Sequence, residues 1–190
     1  PASNLKLGAG VAPVPALLRA GAKVAIGSDG ASSNDTQNMF ETLKLSTILH
    51  RVQGPPETWP TAVDGLTMCW THGAAAMGTD IGRLAIGAVA DLTVIDTDYV
   101  WPAPAEQLRQ QLASAELGSA VRSVYIGGEG VFVDRRFTTI DEDAIRAEAR
   151  EIAARIWTTL PERLARFEEV RPILEQVEAA VGGVVGVVLA

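Results

Sequence analysis

Cysteine is nearly missing from this chain: Cys69 is the only one in 190 residues. That excludes an internal disulfide framework and a paired-cysteine zinc site, and it suits a reducing, cytoplasmic setting. Long apolar runs are absent too. A bilayer span takes roughly 20 apolar residues, and the tail VGGVVGVVLA is half that length and rich in glycine. No signal peptide opens the sequence. Positive charge is scarce, with 16 Lys and Arg against 23 Asp and Glu, giving a net charge of −7 and a pI of about 4.8. Nucleic acid and an anionic membrane surface are therefore poor partners. Only two histidines occur, and no internal repeat or low-complexity run. The chain opens on PASNLKLG without an initiator methionine, so it is expected to be part of something longer.

What is present is a core. Hydrophobic residues make up 47% of the chain, enough for a folded domain. Residues 14–20, VPALLRA, read as a short helix closed by Gly21, with prolines shaping its entry. Val24 and Ile26 in AKVAIGS indicate a short buried strand, Val24–Ser28. A helix is expected over 35–51, capped by Asn34 with Gln37 three positions on and with Met39, Phe40, Leu43, Ile48 and Leu49 on one side. A second helix is expected over 61–77, stopped by Gly78. Helices alternating with a strand make an α/β layer. The texture changes near residue 83. GRLAIGAVADLTVID is β-prone, and VRSVYIGGEGVFVDRR reads as a hairpin turning at Gly127–Gly130. Asp141 caps an amphipathic helix carrying Ile145, Ala149, Ile152 and Ile156, and a further helix covers 161–180 with a disturbance at Pro172. Trp59, Trp70, Trp101 and Trp157 are scattered and read as packing residues.

Asp29 follows Gly27 and Ser28 at the end of the apolar alternation, and small residues surround it. A carboxylate at the C-terminal end of a parallel strand faces the crevice in which α/β folds build their sites. It can bind a metal, act as a base, or simply shape an Asp-Gly turn. The loop lacks the lysine of a phosphate-binding loop, the serine elbow of a hydrolase and the acid pattern of a calcium loop.

The stretch SNLKLGAGVAPVPALLRAGAKVAIGSDGASSNDTQNMFETLKLSTILHR resembles the amidohydrolase superfamily, in the branch of the S-adenosylhomocysteine/methylthioadenosine deaminases and triazine hydrolases. The likeness continues through GAAAMGTDIGRLAIGAVADLTVID and LGSAVRSVYIGGEGVFVDRRFTTIDEDAI, about residues 3–150 in all. Ser28 stands for the usual threonine and Ser32 for an alanine. The resemblance implies an α/β fold: the C-terminal part of a metal-dependent (β/α)8 barrel over 1–82, a share of a composite β-sandwich over 83–137, and C-terminal helices with an apolar tail over 138–190. It implies that Asp29 ends the eighth strand, ligates one divalent metal (zinc first, iron as the alternative), touches substrate and is catalytic. There it would take a proton from metal-bound water, whose hydroxide attacks a ring carbon, and pass it to the departing amine. Ser33 and Asn34 would touch substrate or hold the loop by caps and turn hydrogen bonds.

The other ligands that the family carries, an H-x-H pair and two single histidines, have no counterpart, because His50 and His72 fall in helices and take structural roles. A complete barrel takes about 250 residues, so this chain is expected to be a C-terminal piece that binds zinc weakly, turns over nothing alone and tends to associate. Asp91 is expected to cap or pair at the sandwich edge. The implied parent is an aminohydrolase of a purine or adenosine-type small heterocycle, cytoplasmic and a homo-oligomer as the full-length protein, with no nucleic acid or membrane partner. The alternatives are a triazine-type chlorohydrolase or N-alkyl aminohydrolase, and a metal-free, non-catalytic relative.

Overall fold

The structure, a computed structural model, describes residues 1–98 and 104–180. Trp101 and the apolar tail lie outside the described residues. The chain forms two compact units, Pro1–Arg136 and a second from Phe137 onward.

The first unit begins with short helices: α1 (Ala2–Lys6), α2 (Val14–Arg19), α3 (Ala31–Asn34), α4 (Met39–Ile48), α5 (Ala62–Cys69) and α6 (Thr71–Met77). α2 stands where the prolines and Gly21 place it, and Gly21 takes a left-handed φ of +78° that a glycine adopts freely. Val24–Ser28 departs from expectation. It is extended but forms no strand, and its best-covered residues, Val24, Ile26 and Ser28, are only half-buried. The alternation of the two faces is real; what the segment lacks among the described residues is a neighbouring strand to pair its N–H and C=O groups, and a strand exists only as part of such a ladder.

The long helix expected over 35–51 is also corrected. α4 starts at Met39, and a 3-10 turn over Leu49–Val52 continues it. Its cap is Asn38, whose Oδ1 accepts from the N–H groups of Phe40 at 2.9 Å and Glu41 at 3.3 Å. Asn34 instead ends α3, and Asp35 after it is left-handed at φ +64°. The Asn38 amide also donates to the Leu117 carbonyl at 2.7 Å. Asn38→Ala is therefore expected to cost about 1–2 kcal/mol, read from the midpoint of urea unfolding at unchanged slope; a shift within error would remove the cap from the account.

The buried face of α4 is small and polar rather than the expected apolar stripe. Thr42, Leu43, Ser46 and Thr47 point inward, and Met39 is 38% exposed. These hydroxyls donate to carbonyls of their own turn, Ser46 to Leu43 at 2.8 Å and Thr47 to Lys44 at 2.9 Å. They enter the core already satisfied. Small inner residues let α5 come close: a Cβ on Gly65 would lie 2.6 Å from the Thr47 methyl and 2.7 Å from Leu43 Cδ1. α5 opens with a reciprocal capping box, Thr61 with Asp64. The single helix expected over 61–77 breaks at Trp70 (φ −93°, ψ −83°), and α6 ends at Gly78 as anticipated.

Beyond residue 83 lies one antiparallel sheet, β1 (Leu92–Ile95), β2 (Val121–Ile126), β3 (Glu129–Val133) and β4 (Arg136–Phe137), in that order. The expected hairpin is present. Its two-residue turn, Gly127-Gly128, has φ of +58° and +87°, the pair of positive values that a tight turn matched to strand twist requires. Asp91 does what its position suggested, accepting the Gly127 N–H at 2.7 Å. The region is not strands alone, however. α7 (Leu108–Ser114) intervenes, and its Ala113 joins Leu43 and Leu66 in the core.

The second unit is dominated by α8 (Glu142–Ala180), one continuous helix of 39 residues with Pro161 and Pro172 inside it, where two helices were expected. Asp141 caps it as read from the sequence, accepting the Ala144 N–H at 3.0 Å. The tryptophan reading needs correction for two residues. Trp70 is 52% and Trp157 67% exposed, so neither is a packing residue here. Trp59 is held, by an Nε1 bond to the Gly54 carbonyl and by the Arg51 guanidinium over its ring. Among the described residues no helix is long and apolar enough to cross a membrane.

Candidate functional site

Asp29 sits where the extended segment turns into α3, itself in the left-handed region at φ +64°. Aspartate tolerates that region better than most residues, because its short side chain can bond to nearby backbone. It does so here. Oδ1 accepts the Gly30 N–H at 2.8 Å, and Oδ2 accepts the Ser33 hydroxyl at 2.9 Å. The Gly30 N–H first, then Ser33 and then Ser3 hold this carboxyl below its usual range. Donors aimed at a carboxylate favour its charged form. Asp29 is thus ionised at neutral pH.

Ser3 carried no assigned role in the sequence reading, although it stands in the quoted SNLKL motif. It lies buried in α1, and a Lys6–Asp35 ion pair of 2.6 Å ties α1 to the end of α3. Ser33 is brought directly to Asp29. Asn34 is brought to the same loop, its Nδ2 donating to the Ser28 carbonyl at 2.6 Å.

The two histidines are structural, as their helical positions indicated. His50 is buried, and burial lowers its pKa. His72 Nδ1 lies 3.1 Å from the Val24 carbonyl and so steadies the extended segment. The Cys69 thiol is pushed up to about 11 by burial, which removes it as a nucleophile near neutral pH.

An ionised carboxylate has about four acceptor positions, and Gly30 and Ser33 occupy one on each oxygen. Asp29 is exposed, so the rest face outward. This donor set fits a divalent metal as one ligand. It does not fit as a whole site, since among the described residues no group of three or more His, Cys, Asp or Glu could hold a metal ion. Asp29 lines neither of two hollows formed by the described residues. A hollow of about 180 Å³ borders the same segment, but its wall is Val24–Gly27 with Leu49 and His50, and Asp29 does not line it. The extended segment has no partner strands among the described residues, so no rim rises beside its end.

Residues 1–131 match the amidohydrolase family. The 5-methylthioadenosine/S-adenosylhomocysteine deaminase of Haloarcula marismortui is 42% identical over 154 residues, 81% of this chain and 36% of that protein. The corresponding enzyme of Halobacterium salinarum is 38% identical over 156 residues, 82% of this chain and 36% of its own. Among solved structures, an adenosine deaminase from Xanthomonas campestris with bound zinc superposes with a TM-score of 0.77 at 34% identity, over 83% of this chain and 36% of that one. Atrazine chlorohydrolase from Arthrobacter aurescens, complexed with zinc, superposes with a TM-score of 0.73 at 29% identity, over 79% and 34%. The chain spans about a third of the length of the relatives it matches.

Proposed function

Because this chain belongs to the amidohydrolase family, we propose that it is one part of a metal-dependent hydrolase of non-peptide carbon–nitrogen bonds, an aminohydrolase acting on an adenosine-type heterocycle. The observation that carries the reading is the Asp29 carboxylate, held charged by hydrogen bonds from the Gly30 N–H and the Ser33 hydroxyl at the exit of the extended segment. In this reading Val24–Ser28 is the last strand of a (β/α)8 barrel and Asp29 ends it, residues 83–137 are a share of a β-sandwich, and 138–190 are C-terminal helices with an apolar tail. Other barrel strands and the other metal ligands would come from polypeptide outside this chain, which joins it in the complete enzyme. Zinc, bound in two of the matched structures, is the metal favoured over iron, and the enzyme is cytoplasmic.

A divalent metal supplies the acidity that ionises water near neutral pH. Asp29 would be one of the residues that hold the metal, and its carboxylate would take the proton lost by the attacking water and pass it to the departing amine. The Gly30 N–H and Ser33 hydroxyl keep that carboxylate oriented without a bulky neighbour above it.

A second reading, a triazine-type hydrolase that releases chloride or an alkylamine, is supported by the chlorohydrolase superposition. Zinc-loaded complete enzyme is expected to release ammonia from 5′-methylthioadenosine, S-adenosylhomocysteine or adenosine. Chloride release from a chlorotriazine without any ammonia release from the nucleosides would replace the first reading by the second. Activity on neither class would overturn both.

A further inference from the structure

Asn34, the last residue of α3, combines two features rarely found together. It is only 7% exposed, and its Oδ1 is buried without a hydrogen-bond partner among the described residues. Buried polar atoms are normally paired, so this amide stands in place despite one unsatisfied end. The satisfied end is Nδ2, which donates to the Ser28 carbonyl at 2.6 Å. That acceptor fixes the orientation of the amide, since the flipped form would set two oxygens against each other.

The Ser28 carbonyl belongs to the peptide that enters Asp29. Turning that peptide about the Asp29 N–Cα bond changes φ of Asp29, which lies in the left-handed region at +64°. A non-glycine residue holds such a conformation where its surroundings impose it. Asn34 grips both ends of the turn. Its side chain holds the Ser28 carbonyl, and its backbone N–H donates to the Gly30 carbonyl at 2.9 Å. Asp29 lies between these two anchored carbonyls. With its φ in this region, the Gly30 N–H and Ser33 hydroxyl meet its two oxygens.

We propose that Asn34 is a positioning residue, whose buried carboxamide clamps the Ser28–Asp29 peptide and so aims the Asp29 carboxylate, rather than a residue that binds substrate. This deepens the reading of Asp29 as the reacting carboxylate and rests on it. The chemistry explains the residue type. Aspartate at this position has the same shape but offers an oxygen to a carbonyl oxygen, and alanine offers nothing.

The test has two parts. In this chain, NMR of the unmutated protein should show the Asn34 side-chain NH2 protected from exchange and coupled across the hydrogen bond to the Ser28 carbonyl. In Asn34→Asp and Asn34→Ala, the Gly30 amide should exchange at least about 10-fold faster, and the coupling that reports φ of Asp29 should change. An unprotected Asn34 NH2 in the unmutated chain overturns the clamp whatever the variants do, including their failure to fold. In the complete enzyme, Asn34→Asp should lower kcat about 10²-fold, the effect of a misplaced catalytic group. KM and zinc content should stay within a factor of three or so, as expected when only transition-state positioning is lost. A raised KM with kcat retained would make Asn34 a substrate contact and overturn the proposal. If Asp29→Ala keeps full turnover, the reading of Asp29 fails while the NMR result still decides whether the clamp exists.

Discussion

Asp29→Ala in the complete, zinc-loaded enzyme is expected to lower kcat by at least about 10³-fold, because a metal ligand and a proton carrier are removed in one step. The two losses separate in Asp29→Asn. An amide oxygen can still approach a cation, so part of the metal content should survive, but the amide cannot take up a proton. Metal content and ammonia release measured together on the three proteins distinguish these terms. Loss of metal with loss of activity in Asp29→Ala, and partial metal with no activity in Asp29→Asn, is the expected pattern. Near-wild-type turnover in Asp29→Ala would remove this carboxylate from the mechanism. The isolated chain should behave differently from the complete enzyme. With a single ligand and no group of three among its described residues, it should bind zinc only weakly, since a catalytic zinc is held by about three protein ligands.

Local chemistry was legible in the sequence, and assembly was not. The Gly127-Gly128 hairpin, the Asp141 cap and the Gly78 stop depend on residues close in the chain, or on a turn that only glycine accepts. Each was read correctly. Val24–Ser28 failed as a strand for the opposite reason. Its alternation is intrinsic to the residues, but strand pairing needs a neighbour that the described residues do not provide. The α4 cap was misread because Asn34 and Asn38 carry the same signal, and only the fold shows that Asn34 is already committed to Ser28. The inner face of α4 escaped notice because hydroxyls that bond to their own helix are buried as readily as apolar groups of that size. Asp29 itself stood out from type and position. Its two donors, the Gly30 N–H and the Ser33 hydroxyl, meet it through the left-handed turn at Asp29.

Gly82→Ala is expected to be the most damaging single-methyl change in the first unit. Two separate penalties act there. Gly82 has φ +77°, and an added Cβ would stand 2.5 Å from the Trp70 carbonyl oxygen and 2.7 Å from its carbon. The left-handed conformation costs an alanine about 1–2 kcal/mol. A clash with backbone adds roughly 1–3 kcal/mol, because backbone cannot step aside as a side-chain tip can. The total, about 2–5 kcal/mol, is a large part of the 5–15 kcal/mol that ordinarily holds a domain folded. Gly78 is the internal control. It has nearly the same φ, +66°, with nothing within 4 Å of the added Cβ. Gly78→Ala should therefore show the conformational penalty alone. Urea unfolding of the two variants isolates the clash as their difference, and equal destabilisation would refute the close approach at Trp70. The damage should also reach the site. Trp70 is the break from which α6 starts, and α6 carries His72 to the Val24 carbonyl at 3.1 Å, on the segment that leads to Asp29. A displaced Trp70 would move that support. In the complete enzyme Gly82→Ala should then lose activity at temperatures where Gly78→Ala keeps it.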